Sequence, residues 1–234
     1  MGKLILTILV VYILVVGLIV LNLFFEFKLS NYRYASKHTF LQTFLNKGNF
    51  GEYKIYTILE NIKGEKQLLT NLYLPKEDGS TTEIDLVMIT KLGFFVIESK
   101  NYSGWIFGNE NSRNWTQTFP NKKRFSFFNP IWQNKGHIKV LQDTLCLTDD
   151  SLMHSIIVFS NDCELKKITV KSSNVEIIKR NQMKQSLKKI LVNTSPKLTS
   201  EEIKMYAKTL ESFIHAGEET KQLHNEMIKE KLTR

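Results

Sequence analysis

Leu4 to Phe25, LILTILVVYILVVGLIVLNLFF, is an unbroken apolar run without a charged residue. At about 1.5 Å per helical residue, such a run spans a hydrocarbon core of roughly 30 Å. It is too long for the apolar region of a secretory signal, and no small-x-small cleavage site follows it. Residues 1–27 are therefore expected to be a permanent transmembrane anchor. The pattern then changes: residues 28–47 are basic and polar around a short apolar patch at Phe40, Leu41, Phe44 and Leu45. They read as a juxtamembrane tether ending in a short helix.

In NFGEYKIYTILENI, residues Ile55, Ile58, Leu59 and Ile62 form one stripe at helical spacing. EKQLLTNLYLP predicts a strand, closed by Pro75 and the turn KEDGS. TTEIDLVMITKLGFFVIESK predicts two strands joined at TKLG, and further short strands are expected from Gly104 to Phe119 around a loop at NENSRN. A helix follows from about Pro130 to Leu145, with Pro130 in its first turn. MHSIIVFS and NVEIIK read as strands, and QMKQSLKKIL as an amphipathic helix. Thr199 and Glu202 offer a capping box for a helix through Ile214, and beyond Gly217 an extended helix or frayed polar tail is expected. Helix, three strands, helix and strand make an α/β (α+β) body over 48–160, with a C-terminal strand and helices over 161–234.

Charge adds a direction to this plan. Lys and Arg number 32 against 23 Asp and Glu, a formal net charge of +9. Lys3 and Glu26 cancel, so the excess lies outside the apolar span. It favours polyanions, either nucleic acid or an anionic leaflet, although solubility alone is a plainer use. Lys28, Arg33, Lys37 and Lys47 follow the span with no acid between Phe27 and Gly51. This bias predicts a single-pass protein of the cell membrane with its C-terminal body in the cytoplasm, even with Lys3 on the other flank. MGKLILT departs from a myristoylation signal at Leu6. Cys146 and Cys163 have neither metal-ligand spacing nor the density of a disulfide scaffold, which suits a reducing compartment.

Candidate chemistry sits on the two central strands. Alternation puts Asp85, Val87 and Ile89 on one face of the first, and Phe94, Val96, Glu98 and Lys100 on one face of the second. A four-residue loop over Thr90–Gly93, with Gly93 at positive φ, sets Ile89 against Phe94. Asp85 then opposes Glu98, and Glu83 opposes Lys100. A two-residue loop gives the same pairs, whereas a three-residue loop separates the carboxylates. Facing Cβ atoms are roughly 4.5–5.5 Å apart, so like charges there repel, more so among apolar neighbours. A divalent cation offsets the repulsion, and Mg²⁺ accepts carboxylate oxygens at about 2.0–2.1 Å beside retained waters. The Ser99 carbonyl is a further possible ligand, and Lys100 suits a water or a developing phosphate charge. The plainer alternative is an edge hairpin with solvent-facing acids and a Glu83–Lys100 ion pair.

Three further features bear on this site. Glu52 extends the stripe of Ile55 and Leu59, so its carboxylate is expected to face inward, with a capping box to Asn49 as the competing use. Gln133 and His137 share a helix face at i,i+4, suited to a phosphate or an attacking water or simply to the surface. Lys122, Lys123 and Arg124 adjoin Phe125, Phe127 and Phe128, with Trp105, Trp115 and Trp132 nearby. That mixture suits backbone neutralisation with base stacking, though aromatics more often fill cores.

GEYKIYTILENI, EIDLVMITKLGFFVIESKNYSG and NPIWQNKGHI together resemble the nuclease-related domain, NERD, a branch of the PD-(D/E)xK nuclease superfamily, over roughly Gly48 to Phe159. The resemblance implies a restriction-endonuclease-like αβββαβ core with a central mixed sheet and metal-dependent hydrolysis of DNA or RNA. By that analogy Asp85 and Glu98 bind Mg²⁺ or Mn²⁺, and Lys100 serves the attacking water. Glu52 is the helix acid near the metal, with Gln133 and His137 in support. Ile84 stands where the superfamily's name has proline, a position that varies. Nothing resembles the helicase, kinase or zinc modules of some relatives, and the likeness does not reach the helices from Gln182 onward. A catalytically inactive nucleic-acid- or protein-binding module tethered to the membrane is the alternative. A structural membrane protein lying on anionic lipid is a third.

Overall fold

The computed structural model describes residues 2–193 and 195–214, so the polar tail beyond Gly217 lies outside the described residues. Helix α1 (Gly2–Leu29) is long and apolar enough to cross a membrane. Its apolar side chains point outward until Phe27, which is buried. Residues 28–47, expected as a tether, are folded: α2 (Tyr32–Ser36) and α3 (Phe40–Leu45) pack against α4 (Lys47–Glu60). Tyr32 is fully buried, its ring 5.4 Å from that of Tyr53 and 5.5 Å from that of Tyr56. Phe27, Phe40 and Phe44 add a second knot of rings on Tyr53. The Glu60 carboxylate fixes the bend after α1 by accepting from the Ser30 hydroxyl and the Asn31 backbone N–H, both at 2.9 Å. Aromatic rings bury large areas. Here they turn a basic linker into part of the core.

The central sheet contains β1 (Lys66–Pro75), β2 (Thr81–Thr90), β3 (Gly93–Lys100), β7 (Met153–Phe159) and β9 (Val175–Lys179), in the order β1-β2-β3-β7-β9. Strand β2 runs antiparallel to both β1 and β3, and β7 and β9 continue parallel to β3. The connection from β3 to β7 contains α5 (Pro130–Leu145), capped by the Asn129 side chain with Pro130 at its start. Helix α4, with α6 (Met183–Asn193), packs its apolar stripe on Leu86, Met88, Phe95 and Ile97. On the opposite face, α5 and α7 (Ser200–Glu211) cover Val87, Ile89, Phe94 and Val96. Thr199 and Glu202 form the expected capping box at the start of α7. The fold is thus α+β, with a central mixed sheet and helices toward both ends of the chain.

A second sheet, β6-β5-β4-β8, projects from the chain after Lys100. It is built from β4 (Gly104–Asn109), β5 (Asn114–Thr118), β6 (Arg124–Phe128) and β8 (Cys163–Thr169). Sequence patterning anticipates β4 and β5 but not β6 or β8, both of which are short and largely exposed. Buried Trp115 lies parallel to Phe159, centroids 6.2 Å apart, and joins the two sheets. Gly108 allows this: a Cβ there would fall 2.1 Å from the Trp115 ring.

Candidate functional site

The turn between β2 and β3 has two residues, Lys91 and Leu92, because Thr90 pairs directly with Gly93. The expected loop of four is therefore shortened, but its parity is kept and Ile89 still faces Phe94. Gly93 has φ +116, and the Leu152 carbonyl lies 2.2 Å from where a Cβ would stand. Only glycine fits that corner without strain.

The ladder stops at Leu86–Ile97, just before Asp85 and Glu98 would pair. There the Asp85 side chain takes over, accepting the Ser99 backbone N–H on Oδ2 at 2.8 Å. Pairing with β1 is interrupted at the same level, where Asn71 has φ 53. Asparagine tolerates this conformation better than most residues. Strict alternation also fails here, since Ile84 and Leu86 pack into cores on opposite faces of the sheet. Asp85 thus sits at a break in the sheet instead of on a regular strand face.

Glu98 is almost fully buried. Its Oε1 accepts from Lys100 Nζ at 2.7 Å, and Lys100 Nζ also donates to Gln133 Oε1 at 2.9 Å. His137, one helical turn along α5, brings Nε2 to 3.2 Å from Glu98 Oε2. Neither atom has a hydrogen bond of good geometry. Behind the ring, His137 Nδ1 lies 2.8 Å from Thr82 Oγ1. With the threonine hydroxyl donating to Nδ1, the ring proton is on Nε2 and faces Glu98. Gln133 and His137 are therefore not surface decoration.

Glu52 also faces inward. Asn46 caps α4, its side chain accepting from Gly48 and Asn49 backbone N–H groups, so Asn49 lies inside the first turn. The capping-box alternative for Glu52 falls with that boundary. Glu52 Oε2 is buried without a hydrogen bond. Glu83 accepts the Tyr73 hydroxyl at 2.6 Å. The Glu83–Lys100 ion pair of the edge-hairpin alternative does not form, because the lysine amine is held by Glu98 and Gln133 and Tyr73 is the cross-strand neighbour of Glu83.

These contacts divide the charges. Burial raises Asp85 well above the usual carboxylate range, and Glu98 and then Glu52 push it further. Glu52 rises to about 8 through burial, then through Glu83 and Glu98, against a hydrogen bond from Tyr32 that lowers it. Burial alone would also raise Glu98, but the Lys100 ammonium and the His137 ring outweigh it and hold Glu98 below its ordinary value. Burial would lower Lys100, and its carboxylate neighbours, Glu98 foremost, raise it instead. The result is an ionised Glu98–Lys100 pair beside two carboxyl groups that hold their protons more tightly than free carboxylates do.

That donor set fits a hard cation. Asp85 and Glu98 provide oxygens within one partly buried cluster, Glu98 Oε2 and Glu52 Oε2 are unspent acceptors, and the mutual repulsion would be relieved by positive charge. Among the described residues no three His, Cys, Asp or Glu side chains form a ready-made metal cage. A Mg²⁺-type ion does not require one, since it is commonly held by one or two carboxylates and keeps several waters.

Lys122, Lys123 and Arg124 lie apart from this cluster, exposed at the turn between β5 and β6. The turn is closed by the Phe119 N–H donating to the Lys123 carbonyl at 2.9 Å. The neighbouring aromatics split: Trp115 is core, while Phe125, Phe128, Trp105 and Trp132 are exposed. Tyr32, Tyr73 and Thr82, which touch or flank the acids, were not legible as site residues. Tyr32 and Tyr73 come from other elements, and Thr82, on β2 itself, takes part only through His137, 55 positions away.

Residues 47–160 match the model of the nuclease-related domain. An uncharacterized protein of Bacillus anthracis is 32% identical over 191 residues, covering 79% of this chain and 87% of that protein. No solved structure matches the chain.

Proposed function

The chain belongs to the nuclease-related domain family, and on that premise we propose that it is a membrane-anchored, metal-dependent nuclease whose body faces the cytoplasm. The observation that carries this reading is the clustering of half-buried Asp85 and Glu52 with buried Glu98, whose carboxylate holds a lysine that Gln133 also holds. Surface acids on an edge hairpin would need no such burial. A binding module would need cations but no clustered carboxylates.

In this reading Asp85 and Glu98 hold Mg²⁺ or Mn²⁺, with the Ser99 carbonyl and water completing the set. Bound there, the ion supplies Lewis acidity and a more acidic water. Lys100 donates toward the attacking water or the phosphate oxygen on which charge develops. Gln133 fixes the lysine amine by accepting a hydrogen bond from it, and His137, itself fixed by Thr82, keeps the Glu98 carboxylate in place. Glu52, with its Oε2 unspent, would be a further acceptor for water beside such an ion. Helix α1 supplies the membrane span, and the cations at 28–47 set its orientation by the positive-inside bias.

The test is cleavage of single- and double-stranded DNA and RNA by the full-length chain in detergent micelles, with Mg²⁺, Mn²⁺ or EDTA. Asp85→Asn and Glu98→Gln, purified identically, should be inactive while remaining folded by circular dichroism. Binding without cutting in the wild type would replace the nuclease with the inactive, tethered binding module.

A further inference from the structure

The carboxylate cluster adjoins a line of aromatic rings on the second sheet. Tyr102, two residues after Lys100, sets its ring 4.9 Å from Phe127 on β6. Phe127 and Phe125 alternate onto one face of that strand, opposite Trp115 and Gln117 of β5. Phe125 meets Phe119 at 5.8 Å, edge to face. Just beyond it the turn presents Lys122, Lys123 and Arg124, all exposed. Tyr102, Phe127 and Phe119 are half-buried, and Phe125 between the last two is 53% exposed.

β6 is the outermost strand of its sheet. Phe125 and Phe128 are both exposed on this edge strand, and clustered exposed apolar rings mark an interaction surface. The surrounding charge indicates the partner. Residues 111–142 contain six Lys or Arg and no Asp or Glu. This acid-free stretch forms β5, β6 and the first part of α5, beside the acid-rich cluster.

We propose that the line Tyr102–Phe127–Phe125–Phe119 is a stacking track for single-stranded nucleic acid, with the basic turn neutralising its phosphates and the far end delivering the strand to Lys100. The inference rests on the nuclease reading and narrows its substrate to single-stranded or locally unpaired DNA or RNA. Phosphates are available in any nucleic acid, so the cations alone do not discriminate. Free base faces are available only where pairing is absent, and aromatic side chains engage them without regard to sequence.

Binding is measured with the full-length chain in detergent micelles by fluorescence anisotropy, using a labelled oligothymidylate and a duplex of equal length. EDTA is present, so cleavage plays no part. The wild type should prefer the single strand. Phe125→Ala should weaken single-strand binding by about 5- to 100-fold and leave duplex binding and the melting temperature unchanged. Phe125→Trp should retain binding. No binding, preference for the duplex, or equal affinity of Phe125→Ala and wild type would overturn the track. Single-strand binding without metal-dependent cutting would sink the nuclease reading and leave the track standing. Cutting that is indifferent to Phe125→Ala would do the reverse.

Discussion

Replacing Glu52 with glutamine isolates the electrostatics of the cluster, because the amide keeps the shape of the acid and removes its charge. In the folded chain Glu52 moves from 4.5 to about 8, chiefly through burial and then through Glu83 and Glu98. Between those values the folded state holds a proton that the unfolded chain has released. Stability therefore falls as pH rises through the window and levels off above it. At roughly 1.4 kcal/mol per pH unit, the folded state at pH 7 is disfavoured by about 3 kcal/mol. Glu52→Gln should remove the slope and raise the melting temperature at pH 7 by roughly 6–12 °C. Thermal melts of the full chain in detergent micelles from pH 5 to 9, at fixed ionic strength with EDTA, read both quantities. The chelator matters because a bound cation favours the ionised carboxylate and would mask the effect. Parallel pH slopes in the two proteins, or a lower melting temperature for the variant at pH 8, would refute the reading of Glu52 as a buried acid crowded by its neighbours.

Two other perturbations probe neighbouring parts of the structure. Asp85→Asn keeps an oxygen for the Ser99 N–H and relieves the repulsion, so it should not destabilise the cation-free chain. The same variant should lose the stabilisation that Mg²⁺ or Mn²⁺ gives the wild type, about 2.7 kcal/mol at a hundred times the dissociation constant, as read by melting temperature. Tyr32→Ala empties a fully buried site between Tyr53 and Tyr56 and should destabilise by about 3–5 kcal/mol in denaturant unfolding. A fragment starting near Tyr34 should show a comparable loss, and equal stability of fragment and full chain would contradict the packing of α2 on α4.

Local rules carried much of the plan. Loop parity, with a glycine at the end of the turn, placed Ile89 against Phe94 whether the loop had two residues or four. Helical spacing turned Glu52 inward and put Gln133 and His137 on one face of α5, and the capping residues marked the start of α7. These features depend on neighbours a few residues apart, so they are legible in the order of the amino acids. The break at Asp85 is not. It depends on β1, β2 and β3 parting at one level, with Asn71 and Ser99 contributing from either side. The Thr82–His137 contact joins residues 55 positions apart, and Tyr32 reaches the acids only because rings from four helices collapse around Tyr53. Sequence periodicity determined which way each side chain leaves its own element. Which side chains meet there, and hence which carboxylate keeps its proton, was decided by how the elements pack, because burial and charge act through space and not along the chain.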